Sequence, residues 1–139
     1  MSDFDEQSLL DAAAAARDRA YAPYSNFRVG AALLAADGRV FLGANVENAA
    51  YGSTICAERV ALPVAVVEGV REFIALAVVG DGEGPCTPCG ACRQVLFEFC
   101  PQLVVLAGGG DGSSRRYRLG IDLLPDGFGP VRLNGRGNV

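Results

Sequence analysis

The 139-residue sequence contains no histidine, no lysine and no tryptophan, and its single methionine is the first residue. Without histidine there is no Ser-His-Asp or Cys-His nucleophile system, no imidazole metal ligand and no side chain that titrates unperturbed near neutrality. Without lysine there is no Schiff-base chemistry, and all 12 basic residues are arginine. Positive charge is scarce as well. The formal net charge is −4, and the arginines are scattered except for Arg115, Arg116 and Arg118, so no basic track follows a nucleic-acid backbone. No apolar run approaches the roughly 18 residues of a membrane-spanning helix. The start, Met1-Ser2-Asp3-Phe4-Asp5, is acidic rather than basic like a signal peptide. These absences lead us to expect a cytoplasmic protein that acts on a small molecule and binds neither nucleic acid nor membrane.

What the chain does have is cysteine in a particular arrangement. Ile55-Cys56-Ala57-Glu58-Arg59 is followed thirty residues on by Pro88-Cys89-Gly90-Ala91-Cys92-Arg93-Gln94. A Cys-x-x-Cys pair in a first helical turn places two thiolates on one metal, and Cys56 supplies a third from a distant segment. Three protein ligands on tetrahedral zinc leave a position where water is activated, with Glu58 beside it as the base. A second reading stays open at this point. Cys86-Thr87-Pro88-Cys89 is also a Cys-x-x-Cys, so Cys56, Cys86, Cys89 and Cys92 could close a purely structural site in an interaction module. Cys100 is expected to be a small buried apolar side chain.

At this length one domain is expected, residues 1–133, with a mobile C-terminal tail at 134–139, and roughly two-thirds of the unfolded surface buried. The hydrophobic fraction of 50% and mean hydropathy of +0.24 are high for a small soluble chain, which points to apolar surface buried between subunits. Along the chain, residues 7–21 carry apolar positions at helical spacing, with Asp3 or Asp5 as the cap. Residues 27–35 and 39–44 read as strands joined by a hairpin at Asp37-Gly38. A loop from Asn45 to Gly52 leads to a second helix over 56–68 that Pro63 should break or kink. Residues 73–79 form a strand covered on both faces, a third helix runs from near Cys89 to before Pro101, and 103–106 is a further strand. Gly108 to Ser114 is expected to be a flexible surface loop, and 117–124 a last strand or short helical approach. The alternation predicts an α/β fold with a mixed sheet flanked by helices.

Glu58 two residues after Cys56, followed by Pro88-Cys89-x-x-Cys92, resembles the signature of zinc nucleobase deaminases, with Cys56 where many members have histidine. Further strings extend the resemblance over nearly the whole chain: Tyr24-Ser25-x-Phe27-x-Val29-Gly30-Ala31, Asn45-Val46-Glu47-Asn48-Ala49-x-Tyr51, and Leu123-Leu124-Pro125-x-x-Phe128. The chain is similar to small zinc-dependent cytidine deaminases of the three-cysteine type. The resemblance implies a three-layer fold of that family and one Zn²⁺ per chain on Cys56, Cys89 and Cys92. It implies Glu58 as general acid and base and Arg59 as the cation that tunes the metal. Asn45 and Glu47 are implied at the ribose hydroxyls, Phe27 against the nucleoside, the Ala57 backbone at the base, and Asn48 and Tyr51 elsewhere in the pocket. Homotetramers are implied as well, with Phe128 closing over a neighbour's site. Cytidine and 2'-deoxycytidine are the implied substrates, and deaminases of modified or polymeric cytosine nucleosides remain the sibling possibility.

Overall fold

The computed structural model describes residues 3–134, so of the expected tail, 134–139, only Asn134 is described, as the last residue of a short helix, and the rest lies outside the described residues. Helix α1, Glu6–Arg17, starts where Asp5 accepts from Ser8 N at 3.1 Å. It ends a turn earlier than its alanine content implies, because Tyr21 N donates instead to Asn45 O at 2.9 Å and joins the chain to the segment after β2. Strand β1, Val29–Ala35, and β2, Val40–Ala44, form the expected hairpin, with Gly38 at φ 96° in the conformation that a Cβ disfavours.

Helix α2, Ala57–Val67, runs unbroken through Pro63. The proline ring lies on the exposed side, where the one N–H it lacks leaves only the Arg59 carbonyl without its helical donor. Strand β3, Phe73–Gly80, is followed by α3, Gly90–Phe99, and β4, Val104–Gly108. The glycine-rich stretch is no loose loop. It turns tightly into β5, Ser114–Arg118, which pairs antiparallel with β4 from Gly108↔Ser114 to Val104↔Arg118. A single π-type turn, Leu119–Leu123, and a short helix α4, Pro130–Asn134, complete the described chain.

The sheet order is β2-β1-β3-β4-β5. Strands β3 and β4 are parallel and the other pairs antiparallel, so the sheet is mixed as expected. Side chains alternate along each strand into two cores. Leu33, Leu76, Val78 and Val105 face α2 and α3 together with Ala61, Leu62 and Leu96. Ala32, Ala75, Ala77 and Leu106 face α1 with Leu9 and Ala13. The alanines on the second face let α1 lie close to the sheet. The pairings Gly30↔Ala44, Val29↔Gly80 and Val79↔Gly108 bring the carboxyl ends of β2, β3 and β4 and the start of β1 to one edge. Ligands of open α/β sheets bind outside such an edge.

Candidate metal and catalytic centre

Two helices begin at that edge, each with a cysteine as its N-cap. Cys56 caps α2 and Cys89 caps α3, both in extended conformation, and Cys92 lies in the first turn of α3. The backbone supports each turn: Arg59 N and Val60 N donate to Cys56 O at 3.0 and 3.1 Å, and Arg93 N donates to Cys89 O at 2.9 Å. The positive ends of two helix dipoles therefore face the thiols and favour thiolate over thiol. The first turn of α2 is seated by Gly43 in β2, where a Cβ would fall 2.2 Å from Ala57 O. Arg93 anchors the approach to α3, donating to Pro88 O at 2.7 Å and to Leu123 O at 2.9 Å.

The sulfurs of Cys56, Cys89 and Cys92 all lie within 4.8 Å of one another. Cys56 and Cys89 are 3.9 Å apart and Cys89 and Cys92 3.4 Å. Zinc with Zn–S bonds of about 2.3 Å needs sulfurs about 3.8 Å apart in a tetrahedron, so the donor set fits the ion in spacing and in softness. Among the described residues no other cysteine or carboxylate joins this group. Cys86 is not part of it. Its sulfur instead packs at the end of β3, where a Cβ on Gly80 would meet it at 3.1 Å. The closed four-cysteine arrangement is thus absent from the described residues, and one tetrahedral position is left to a non-protein ligand. Cys100 packs at the core margin and donates to Phe73 O at 3.3 Å.

Charge is unevenly distributed over the cluster. A hydrogen bond from Cys92, together with the Arg59 guanidinium, draws the Cys56 thiol down to about 5. Cys92 is pushed up by that same partner and by burial. Arg59 Nη2 stands 3.9 Å from Cys56 Sγ, and its Nε is buried without a hydrogen-bond partner among the described residues, so the guanidinium is committed to the sulfurs. Glu58, 5% exposed, points inward from the first turn of α2. Burial raises its carboxyl above the ordinary carboxylate range, and the negative charge at Cys56 adds to the effect. A carboxyl so placed can both take and give a proton.

The expected substrate residues fall into three groups. Glu47, Asn48 and Tyr51 line a cavity of about 410 Å³ together with Tyr24, Ser25 and Thr54. Asn45 is 8% exposed and spans the chain ahead of β1, accepting from Val29 N and donating to Phe27 O, both at 2.9 Å. Phe27 remains 40% exposed, and Ala57 is fully buried at the start of α2. Phe128 is not among the residues that line this cavity. It stands 59% exposed on the segment beyond α3, where Gln94 Nε2 donates to Phe128 O at 2.8 Å. The sequence reading assigned no role to Ser25, whose N–H and hydroxyl both donate to the Glu47 carboxylate, with Tyr24 N as a third donor at 3.0 Å. Its place in a turn after Pro23-Tyr24 was the only local signal. A larger apolar groove of about 420 Å³ behind α3, lined by Phe97, Pro101, Ile121 and Pro130, is lined by no thiol or metal-binding cluster.

Fold and site together place the chain among zinc hydrolases that remove an amino group from a base by adding water, a class marked by Glu two residues after the first ligand and Pro-Cys-x-x-Cys on a later helix. Residues 4–107 match the family model for the cytidine and deoxycytidylate deaminase zinc-binding region. The chain is 50% identical over 131 residues to the cytidine deaminase of Halalkalibacterium halodurans, covering 94% of this chain and 98% of that one. With the cytidine deaminase of Sporosarcina psychrophila it shares 59% identity over 96 residues, 69% of this chain and 71% of the relative. The crystal structure of cytidine deaminase from Burkholderia pseudomallei superposes with a TM-score of 0.87 at 55% identity, covering 90% of this chain and all of the other. The chain belongs to the cytidine deaminase family, and its cofactor is zinc.

Proposed function

We propose that the protein converts cytidine and 2'-deoxycytidine to uridine and 2'-deoxyuridine with release of ammonia, as a step of pyrimidine salvage in the cytoplasm. The observation that carries this reading is a buried carboxyl, Glu58, beside three converging thiols with one tetrahedral position free. Zinc held by Cys56, Cys89 and Cys92 supplies a Lewis acid that lets water ionise near neutral pH.

The chain's own groups do the rest. Glu58 takes a proton from the attacking water and delivers it to N3 of cytosine as the oxygen adds to C4. It then carries the second proton from that oxygen to the exocyclic nitrogen. The C4–N bond breaks, ammonia leaves, and the C4 carbonyl of uridine remains. Arg59 offsets the negative charge that three thiolates leave on a divalent metal, and so preserves its pull on electrons. The Ala57 backbone, buried at the helix start, faces the base.

Glu47 and Asn45 receive the sugar. Three donors from Tyr24 and Ser25 hold the Glu47 carboxylate below its usual range, ready to accept from ribose hydroxyls. Asn45 keeps one N–H free after its two backbone bonds. A fixed negative charge at the sugar end disfavours a phosphate, which supports a nucleoside substrate over a nucleotide or polynucleotide. Asn48 and Tyr51 complete the rim, and Phe27 offers its exposed ring face to the nucleoside.

The active form is a homotetramer in which Phe128 covers a neighbour's site. Exposed apolar groups support this: Val64 and the 84% exposed Val67 beside Pro63 on α2, with Ile121 and Phe128 beyond α3. Five free cysteines suit the reducing cytoplasm, and among the described residues no helix is long and apolar enough to cross a membrane. An ultraviolet absorbance assay against cytidine, 2'-deoxycytidine, cytidine monophosphate and free cytosine tests the reading. Turnover of the two nucleosides is expected, with weak activity on the other two, and no ammonia from either nucleoside would overturn it.

A further inference from the structure

Phe27 sits in a segment without regular structure, between Asn26 in the left-handed region at φ 58° and the start of β1. Its local chain does not set the direction of its ring. The ring lies instead on two glycines at the end of β3: a Cβ on Gly80 would fall 3.0 Å from Phe27 Cζ, and one on Gly82 3.1 Å from Phe27 Cε1. Between those glycines stands Asp81, and it grips Arg28, the residue next to Phe27, through both side chain and backbone. Asp81 Oδ2 accepts from Arg28 N at 2.9 Å and from Arg28 Nε at 3.0 Å, and Oδ1 accepts from Nη2 at 3.2 Å. In return Asp81 N donates to Arg28 O at 3.1 Å.

We propose that Asp81 is a positioning residue for nucleoside binding, which locks the Phe27-Arg28 segment to the end of β3 and so holds the Phe27 ring at the mouth of the site. The proposal rests on the reading that Phe27 packs on the nucleoside. Three further observations carry it. Arg17 of α1 reinforces the clamp from the far side, donating through Nη1 to Gly80 O at 3.0 Å and standing with Nε 3.5 Å from Asp81 Oδ1. The loop that carries Asp81 is backed by the β4–β5 hairpin with no side chain between. Gly110 N donates to Gly82 O at 2.8 Å, and a Cβ on Gly110 would lie 2.4 Å from Asp81 O. The segment is also held on its other side, since Ser25 Oγ accepts from Phe27 N at 3.0 Å and Asn45 Nδ2 donates to Phe27 O at 2.9 Å. The ring is therefore suspended between the sugar cluster and Asp81. The Arg28 bonds hold the Asp81 carboxyl below its usual range, so an amide in its place removes the negative charge that Arg28 and Arg17 face.

The Arg28–Asp81 pair is partly exposed, its side chains 44% and 25% accessible, and solvent screens such a pair, so loss of the clamp should move binding more than folding. Zinc-loaded Asp81→Asn is compared with the parent, with Phe27→Ala and with the double variant in steady-state deamination of cytidine. Asp81→Asn is expected to raise KM several-fold with kcat nearly unchanged and one zinc per chain retained. The rise should stay below the roughly 10²-fold that a 1 Å misplacement can reach. In the Phe27→Ala background it should add nothing, because the effect passes through the ring. If Phe27→Ala leaves KM unchanged, the reading of Phe27 fails and the proposal with it. If Phe27→Ala raises KM but Asp81→Asn does not, or if the two effects multiply, the proposal alone is overturned. Should Asp81→Asn not fold, Arg28→Met removes the two Arg28 side-chain bonds to Asp81 and keeps the two that use the Arg28 backbone. A raised KM there supports the clamp, and an unchanged KM overturns it.

Discussion

At the scale of single residues, Glu58 has the greatest consequence for its size. Replacing its carboxyl with an amide keeps the shape and removes the group proposed to carry the proton. Glu58→Gln should therefore retain zinc and fold but lose at least the roughly 10²–10⁴-fold that general acid–base transfer is worth, measured as ammonia release by a metal-loaded sample. Full turnover in that sample would remove Glu58 from the mechanism. Cys86 makes the opposite prediction. Its sulfur packs by Gly80 rather than among the three thiols, so Cys86→Ser should keep one zinc per chain by elemental analysis and retain deamination. Loss of metal in that variant would reinstate a closed four-cysteine site. The Cys56, Cys89 and Cys92 metal group was legible in the sequence because ligand chemistry depends on residue type and short spacing. The roles of Ser25 and Asp81 were not, because each acts on a segment more than twenty residues away and neither stands out locally.

At the scale of elements, the site depends on where two helices start. Extended N-caps at Cys56 and Cys89 turn both first turns toward a common point, and Gly43 lets α2 touch β2. Gly43→Ala should push α2 outward, at an overpacking cost of about 1–3 kcal/mol. Weaker zinc retention should accompany it, read by thermal unfolding and by metal released to a chromogenic chelator. An unchanged melting temperature and metal content would show that the contact can relax. The helices, the first hairpin and the buried strand β3 follow from periodicity and turn chemistry. The last third of the chain does not. Gly108-Gly109-Gly110 reads as a loose linker by composition, yet Gly109 and Gly110 are required for backbone-to-backbone contact with the 81–84 loop, where a Cβ would come within 2.4 Å of a carbonyl oxygen. Strand β5 carries three arginines on an exposed edge and so lacks the apolar alternation by which a strand is recognised.

At the scale of the whole molecule, exposed Phe128 and the apolar face of α2 bear on assembly. If Phe128 acts on a neighbouring site, Glu58→Gln and Phe128→Ala proteins, each nearly inactive alone, should regain activity after unfolding and refolding together. Mixed oligomers would then contain sites with an intact Glu58 and a partner's intact Phe128. No gain over separately refolded parents, with subunit mixing proven by mass, would confine Phe128 to its own chain. The linear order of residues sets the chemistry: lacking histidine and lysine, and carrying three cysteines and a glutamate at fixed spacing, the chain has few ways other than a zinc-thiolate centre to activate water. It also determined the α/β class, since hydrophobic period is a local property. Tertiary packing alone brings three of the four candidate cysteines together, leaves Cys86 outside that group, and sets Asp81 against Arg28 and the glycine hairpin against the 81–84 loop. Those outcomes depend on strand order and on the close approach of segments far apart in the chain, which no local pattern encodes.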